Sequence, residues 1–439
     1  MKIFIETMGC PKNFNDSEVA AGIMEDAGHV IVNYPEDADL IMVNTCGFIN
    51  DAKQESIDKI FELAEWKEEG KKLMVSGCLS QRYGEDLFTE MPEADCFIGV
   101  NEYERLPEIL DEIEKSDERL IFNSRCTQEV LPKLVRRFEE NPYVATIKIA
   151  EGCNNVCAYC SIPKIRGHFR SKKEEDILLE AEELAKAGCK ELILIAQDVT
   201  VYGQDLYGEY RLAKLLRKLV KVEGIEWIRL MYCYEDRITD ELIQTIAEEE
   251  KICKYIDIPI QHASTTVLKN MNRRSTEESV KSTIKRLRDA IPDIHIRTTM
   301  IVGFPGETEE DYDTLVDFIE ETKFSRLGVF AYSQEEDTVA GEMENQIDEE
   351  IKMERLDGIM RRQLEISLEL NREKIGSVFD VIVDDIDFDG SYIGRTRFDA
   401  PDIDNAVLFT SEREHRPGDI VKVLVNDAFD YDLVGTEVI

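Results

Sequence analysis

The stretch that decides the fold of this chain lies at residues 152–160 and reads GCNNVCAYC. It places Cys153, Cys157 and Cys160 (the loop trio) in the spacing C-x3-C-x2-C. An ordinary four-iron cluster uses four cysteine ligands, so three thiolates leave one iron open to an exogenous chelator. The amino and carboxylate groups of S-adenosylmethionine (SAM) suit that iron, because they set the sulfonium beside a reducing cluster. The spacing therefore predicts an iron–sulfur enzyme that cleaves SAM reductively.

A zinc site is the main alternative interpretation of this motif. Zinc requires a fourth Cys or His nearby, and His168, eight residues after the motif, is the one candidate. Three unrelated cysteines would produce the spacing by chance in roughly one such chain in a hundred. The cluster interpretation is favoured.

The segments around the loop trio alternate strand-like and helix-like patterns. Strands are predicted at residues 146–150, 191–197, 227–232, 255–260, 295–302 and 327–332. Ser171 and Glu174 form a capping-box pattern, and Gly188 predicts a helix end. Six βα units in order predict a partial parallel barrel over residues 145–375. Its last helix, at 350–374, is expected to pack through Met353, Leu356, Ile359, Met360 and Leu364.

A different domain is predicted on each side of this barrel, which makes the chain an α/β multidomain protein. Residues 1–125 are typical of an open parallel α/β domain, with strands at 2–7, 39–44 and 72–76 and helices at 17–27 and 54–67. Residues 126–144 are predicted to be a polar linker. In 376–439, short strands separated by turns predict a five-stranded β-barrel of the oligonucleotide-binding type.

A second set of cysteines is spread along the first domain. Cys10, Cys46 and Cys78 (the strand-end trio) each follow a predicted strand directly. The carboxyl ends of strands in an open parallel sheet border one crevice, where ligands bind. Any one of these cysteines could be a buried core thiol, but their shared placement favours convergence on one site. We therefore predict a second three-cysteine cluster with an open iron.

Five further residues are candidate contacts to SAM. Functional residues of such barrels concentrate at the carboxyl ends of strands. The candidates are Tyr159 in the cysteine loop, Gln197, Gln261 and Gly303 after the second, fourth and fifth strands, and Arg297 within the fifth. Each also has a structural interpretation: a packing aromatic, a tight turn, or a side chain whose direction strand parity leaves open.

The charge balance bears on partners and location. The chain has 92 acidic and 53 basic side chains and a net charge of −39. A negative electrostatic field of this size attracts basic partners and repels phosphate backbones. A salt-adapted host or an acid-rich proteome would give the same excess of acidic residues. No apolar run approaches the ~18 residues of a membrane span, and the amino terminus does not resemble a secretion signal. We expect a cytoplasmic protein without a membrane partner.

Five cysteines lie outside the two trios. In a reducing cytoplasm they should not form disulfides. They are interpreted as buried small hydrophobic side chains: Cys96, Cys126, Cys189, Cys233 and Cys253.

Four motifs carry a resemblance to a known family: GCPKN at 9–13, NTCGFI at 44–49, GCL at 77–79, and the cysteine loop continued by SIPKIRG at 161–167. Together with the last domain, which is similar to a TRAM domain, they resemble the radical-SAM methylthiotransferases over essentially the whole chain. The segments IAQD (195–198), PIQH (259–262) and RTRFDAPDID (395–404) are most similar to the branch that modifies an aspartate of ribosomal protein S twelve. Glu235 stands where this family would have a proline, and we interpret it as a changed turn.

The resemblance implies cofactors, partners and a mechanism. The loop trio would hold a radical-generating [4Fe–4S] cluster, and the strand-end trio would hold an auxiliary [4Fe–4S] cluster. One SAM would give its methyl group to sulfur on the auxiliary cluster. A second SAM would give the 5′-deoxyadenosyl radical that removes hydrogen from the unactivated β carbon of the aspartate. The implied partners are ribosomal protein S twelve and an electron donor such as flavodoxin or ferredoxin.

Two other functions stay open on the sequence. The sister activity of the family is methylthiolation of an adenosine beside the tRNA anticodon. Residues 376–439 hold five Lys or Arg against fifteen Asp or Glu, which disfavours tRNA and suits a basic ribosomal protein. The other alternative is a non-catalytic electron carrier with two clusters, which would leave the last domain unexplained.

Overall fold

The computed structural model describes residues 1–116, 118–125, 136–137 and 142–438. Three units follow one another: an open parallel sheet with helices, a six-stranded partial barrel and a closed five-stranded β-barrel. This architecture confirms the predicted fold class. Most of the predicted linker, residues 126–144, lies outside the described residues, as does Cys126. Among the described helices, none combines the length and apolar character needed to cross a membrane.

The amino-terminal unit is a parallel sheet in the order β2-β1-β3-β4-β5-β6. Its strands are β1 (Lys2–Thr7), β2 (Val30–Val32), β3 (Leu40–Thr45), β4 (Lys72–Gly77), β5 (Cys96–Ile98) and β6 (Leu120–Phe122). Its helices are α1 (Pro11–Asp26), α2 (Asn50–Ala64), α3 (Cys78–Glu90) and α4 (Leu106–Lys115). The sequence predicted the three longest strands and missed β2, β5 and β6, because three residues are too few to show a pattern.

The central unit is a second parallel sheet, in the order β14-β13-β12-β11-β10-β7, which stays open between β7 and β14. Its strands are β7 (Val144–Lys148), β10 (Glu191–Ile195), β11 (Trp227–Leu230), β12 (Ile252–Asp257), β13 (His295–Val302) and β14 (Arg326–Ala331). A separate ribbon joins β8 (Ala150–Glu151) to β9 (Arg170–Ser171). All six predicted barrel strands are present, with ends displaced by a few residues.

The helices of this unit are α5 (Ile162–Arg166), α6 (Glu174–Lys186), α7 (Gln204–Tyr207), α8 (Leu212–Leu219), α9 (Asp240–Glu248), α10 (Thr265–Asn270), α11 (Glu277–Ala290), α12 (Glu309–Thr322) and α13 (Glu349–Arg372). Most of them cover the outer face of the sheet, where the largest apolar core lies, whereas α5 packs against α3 of the first unit. Single-turn 3-10 helices occur at Pro35–Asp37, Glu65–Glu69, Tyr103–Arg105, Val199–Val201, Glu235–Arg237 and Ala340–Glu342.

One local prediction was wrong and a second is confirmed only in part. Ser171 does not cap α6, because it lies in β9 and its hydroxyl donates to Asp205 at 2.6 Å; the capping position is Lys173. The buried face of α13 is largely polar: Lys352, Arg355, Ile359, Gln363, Ile366, Ser367 and Asn371. Of the predicted apolar stripe, Ile359 lies in the core of the central unit and Leu356 packs against it, whereas Met353 is 45% exposed. The apolar periodicity predicted only part of the buried face, because α13 spans the barrel and the last domain and its polar side chains bond to both.

The carboxyl-terminal unit is a closed barrel in the order β15-β16-β17-β19-β18. Its strands are β15 (Val378–Ile386), β16 (Tyr392–Thr396), β17 (Val407–Thr410), β18 (Ile420–Ala428) and β19 (Leu433–Glu437). The predicted five-stranded barrel is therefore confirmed.

This barrel packs against the face of the central sheet that the helices leave uncovered. Ile193 and Tyr255 of the central sheet form one apolar cluster with Ile382 and Ala400 of the last unit. A buried charge network surrounds the cluster: Glu191 binds both Arg229 of β11, at 2.7 Å, and Arg395 of β16. The segment 395–404 is thus the part of the last domain that docks on the sheet.

We predict that Glu191→Gln weakens this docking. Glu191 is fully buried between two guanidiniums. Losing its charge removes the carboxylate that Arg229 binds and one of the two that Arg395 binds, since Arg395 also pairs with Asp384. The free energy of unfolding should therefore fall by about 3–5 kcal/mol. Urea denaturation measures the change. The control is Glu369→Gln, since Glu369 pairs with Lys323 at an exposed site and should lose at most about 1 kcal/mol. Equal losses in the two variants would contradict the assigned role of Glu191.

Candidate active site

The strand-end trio lies at the carboxyl ends of three strands. Cys10 precedes α1 directly after β1, Cys46 follows β3, and Cys78 begins α3 after β4. Since these three strands are parallel neighbours, the cysteines lie at the same edge of the sheet. Gly9 lets two of the loops touch, because it has a positive φ of 92° and a Cβ there would lie 2.8 Å from the Cys46 Cβ.

Two buried asparagines hold these loops together. The side-chain nitrogen of Asn13 donates to the backbone carbonyls of Met8, at 2.9 Å, and Thr45, at 3.1 Å. Asn44 donates in turn to the Asn13 carbonyl at 2.8 Å. The Asn13 side-chain oxygen also lies 3.7 Å from the Cys78 sulfur. The backbone around the trio is thus fixed by hydrogen bonds before any ligand binds.

The loop trio lies on the segment between β8 and α5. Gly152 starts it with a φ of 76°, and a Cβ there would come within 2.2 Å of the His168 carbonyl. Cys153 donates its N–H to the Gly167 carbonyl, and Cys160 donates to the Cys157 carbonyl, both at 3.1 Å. These bonds fold the loop so that its thiols face one region.

Burial raises the pKa of four of the six thiols, those of Cys46, Cys78, Cys153 and Cys160. The pKa of Cys78 rises to about 11, because burial outweighs the Arg166 guanidinium, which lowers it. Burial likewise raises the pKa of Cys153 to about 11, and the pKa of Cys160 rises well above its ordinary value. A coordinated metal deprotonates a thiol. Iron bound at these cysteines would therefore displace the thiol protons.

The described side chains do not form a site for a single metal ion. A zinc ion needs all its ligands at about 2.0–2.3 Å from one point. In the described ranges, no group of three or more His, Cys, Asp or Glu side chains is arranged in that way. A cubane cluster instead binds each cysteine at a different iron, so the sulfurs stand further apart. His168, the predicted fourth zinc ligand, is exposed.

One buried guanidinium links the strand-end trio to the segment that leads into the loop trio. Arg166, 2% exposed at the end of α5, donates to the Cys78 sulfur at 3.2 Å and to the Asn13 side-chain oxygen at 2.8 Å. Its other terminal nitrogen binds Asp16 at 2.8 Å and Glu151 at 3.1 Å. Glu151 lies two residues before Cys153. Arg166 therefore spans the boundary between the first sheet and the barrel, with one trio on each side.

Lys148, the last residue of β7, belongs to the same network. It pairs with Asp16 and, at 2.6 Å, with Glu151. Although burial would raise the pKa of Glu151, Arg166 and Lys148 hold that pKa well below its usual range. Gln197, a predicted SAM contact, donates to Glu151 at 2.8 Å. Its side-chain oxygen is buried without a hydrogen-bond partner in the described part of the chain.

Three other predicted SAM contacts lie around the same end of the barrel. Tyr159 packs beneath the cysteine loop, and its hydroxyl accepts a hydrogen bond from Arg273 at 3.3 Å. Gln261 has a positive φ of 77°, a strained conformation typical of functional sites. Gly303 also has a positive φ, and a Cβ there would meet Lys352 at 2.2 Å. Their contact with SAM stays a prediction.

Arg297 lies apart from this group. Its guanidinium faces the last domain and pairs with Asp257 at 3.0 Å and Asp404 at 3.3 Å. This settles the direction that strand parity left open. Any contact between Arg297 and SAM stays a prediction, and both of its observed partners are protein carboxylates.

Sequence reasoning missed several residues of the site. Arg166 lies in the SIPKIRG motif at 161–167. The motif did not indicate a role for it, because its partners come from distant segments. Glu235, interpreted as a changed turn, is buried and holds Arg273 next to the cysteine loop. A cavity of about 170 Å³ beside Cys153, bordered by Asp198 and Arg237, was also not predicted.

Comparisons with known proteins agree with this architecture. Three family profiles match: the uncharacterised protein family UPF0004 at residues 2–99, the radical SAM superfamily at 147–319 and the TRAM domain at 375–438. The ribosomal protein uS12 methylthiotransferase RimO of Clostridioides difficile is 49% identical, covering 99% of this chain and 98% of its own. RimO of Geobacter sulfurreducens is 47% identical, and the alignment covers 99% of this chain and 98% of that protein.

The chain belongs to the RimO family.

Solved structures with low sequence identity share the fold of this RimO family member. The radical SAM methyltransferase TsrM of Kitasatospora setae, bound to tryptophan and a SAM analogue, aligns with a TM-score of 0.55 at 12% identity, covering 86% of this chain and 78% of TsrM. The cobalamin-dependent radical enzyme OxsB aligns with a TM-score of 0.54 at 13% identity, covering 83% of this chain and 57% of OxsB.

We predict that Arg166→Met disrupts the junction between the first sheet and the barrel. It would leave Asp16 and Glu151 buried with half their compensating charge, so the free energy of unfolding should fall by about 3–5 kcal/mol. Arg217→Met is the matched control, because Arg217 pairs with Glu241 at the surface and should cost no more than about 1 kcal/mol. If denaturant unfolding gives the two variants the same stability, the role assigned to Arg166 is wrong.

Proposed function

We propose that this chain is a radical-SAM methylthiotransferase that inserts a methylthio group at the β carbon of an aspartate in ribosomal protein uS12, the protein S twelve of the small subunit. The observation that carries the proposal is the Arg166 network. It links Cys78 of the strand-end trio to Glu151, two residues before the loop trio, across one domain boundary. The full-length similarity to RimO supports the same activity.

In this proposal the loop trio holds the radical-generating [4Fe–4S] cluster and the strand-end trio holds the auxiliary one. A cluster with an open iron supplies the electron that cleaves SAM to methionine and a 5′-deoxyadenosyl radical when it is bound. Radical chemistry suits the target because an aliphatic C–H bond offers no acidic proton to a general base. The electron comes from a donor such as flavodoxin or ferredoxin.

The contribution of the chain is positioning. Asn13, Asn44 and Arg166 fix the strand-end trio by hydrogen bonds from buried groups. The Asn155 N–H lies 3.4 Å from the Cys153 sulfur and can donate to it. Hydrogen bonds to sulfur tune iron–sulfur sites. Holding both trios in one rigid frame around a substrate carbon removes the entropy cost of bringing the reacting groups together.

The charge of the last domain supports a protein substrate over tRNA. Residues 376–439 carry fifteen acidic and five basic side chains. Two of the basic ones, Arg395 and Arg397, are bound to the central unit, by Glu191 and by the Glu250 carbonyl respectively. A barrel that grips nucleic acid presents cations to phosphate, whereas this one suits a Lys- and Arg-rich ribosomal protein. Ribosomes place this activity in the cytoplasm.

The test is to incubate the reduced, iron-loaded enzyme with SAM and each macromolecule separately, and to weigh the products. We expect uS12 to gain one methylthio group and the tRNA to remain unchanged. A gain on tRNA alone would contradict the proposed substrate. Failure to form 5′-deoxyadenosine under any condition would favour the electron-carrier alternative.

Two cysteine variants separate the proposed roles of the trios. Cys157→Ala should abolish 5′-deoxyadenosine formation because it removes a ligand of the radical-generating cluster. Cys46→Ala should still form 5′-deoxyadenosine but transfer no methylthio group. Cys253→Ala is the control, since Cys253 is buried in the core between the barrel and the last domain, and it should retain both activities. If Cys46→Ala transfers methylthio groups, the auxiliary role is wrong.

A further inference from the structure

The residues that follow β11 form a second buried charge network, directly behind the loop trio. Glu235 and Arg273 are both 2% exposed, and one guanidinium nitrogen of Arg273 contacts both carboxylate oxygens of Glu235, at 2.7 and 2.6 Å. Ser275 donates to the same carboxylate. None of these residues belongs to the Arg166 network. Their position calls for a separate explanation, because an ion pair in a protein interior carries a large desolvation cost.

Arg273 connects this pair to the cysteine loop. Its second terminal nitrogen donates to the Tyr159 hydroxyl at 3.3 Å, and its guanidinium carbon lies 4.1 Å from the centre of the Tyr234 ring. The Tyr234 hydroxyl lies 3.7 Å from the Cys157 sulfur and can donate to it. The cation is therefore one side chain away from a cysteine of the loop trio.

Tyr234 also has a second cation over its ring. The Arg237 guanidinium lies 5.1 Å from the ring centre. Arg237 donates to the Asn155 side-chain oxygen at 2.8 Å, and the Asn155 N–H lies 3.4 Å from the Cys153 sulfur. The turn Tyr234–Arg237 thus reaches two of the three cysteines, through Tyr234 on one side and Arg237 on the other.

The charges explain why the pair is buried at this point. Burial alone would lower the pKa of Arg273, but Glu235, the two tyrosines and Cys157 hold that pKa well above its ordinary value. The guanidinium is therefore a fixed positive charge. A positive charge near an iron–sulfur cluster stabilises its more negative, reduced form. The Glu235 carboxylate offsets that effect and keeps the guanidinium in place.

We propose that Glu235 is a positioning residue that holds Arg273 behind Cys157 and thereby sets the reduction potential of the cluster on the loop trio. The inference rests on the proposed function, because it requires a cluster on that trio. It also gives a chemical role to Glu235, which is interpreted from the sequence only as a changed turn.

The test is a redox titration of the full-length, two-cluster protein, followed by electron paramagnetic resonance in the absence of substrate. The signal of the loop-trio cluster is identified as the one that changes when SAM is added. Glu235→Gln should shift its potential to a more positive value, since Arg273 is no longer neutralised. Tyr234→Phe should shift it to a more negative value, since the cluster loses a hydrogen-bond donor.

The double variant Glu235→Gln, Arg273→Gln removes both charges and should return the potential towards that of the wild type. Glu241→Gln is the control, because Glu241 pairs with Arg217 at the surface, and it should leave the potential unchanged. An unchanged potential in both Glu235→Gln and Tyr234→Phe, with normal iron content, would overturn the inference. Absence of any SAM-sensitive cluster signal in the wild type would instead contradict the proposed function.

Discussion

The fold depends on one buried guanidinium. Arg166 leaves the barrel at the end of α5 and binds Cys78, Asn13 and Asp16 of the first sheet together with Glu151 of its own unit. A buried cation is tolerated only where anions and acceptors surround it. The two units must therefore meet in one orientation, the one that supplies all four partners. The placement of the two cysteine trios relative to each other follows from that requirement.

Buried ion pairs between arginine and a carboxylate also occur at the other domain boundary and behind the loop trio. Glu191 holds Arg229 and Arg395 where the last barrel docks, and Glu235 holds Arg273 beside the cysteine loop. In a chain of net charge −39, buried arginines, together with Lys148 beside Arg166, neutralise carboxylates inside the protein. Apolar contacts form the cores, while these ion pairs fix how the cores are arranged and where cations stand near the cysteines.

Much of the fold and the position of both cysteine trios in it could be predicted from the sequence. The spacing of the loop trio and the strand-end position of Cys10, Cys46 and Cys78 are local patterns, so both are visible in the sequence, and the clusters they would hold stay a prediction. The partial barrel and the closed barrel followed from strand periodicity. Arg166 and Glu235 could not be found in this way, because their partners lie far away in sequence. The polar buried face of α13 was missed for the same reason: Gln363 bonds to the Phe324 carbonyl and Asn371 to the Phe429 carbonyl, which no helical pattern indicates.

The central claim is that each trio holds its own cluster at one shared site. Anaerobic reconstitution followed by counting of iron and sulfide tests it most directly, in the wild type and in two variants that each replace one whole trio with alanine. The account predicts about eight irons per chain in the wild type and about four in each variant, as expected for two four-iron clusters. About four irons in the wild type, or no loss of iron in either variant, would contradict it.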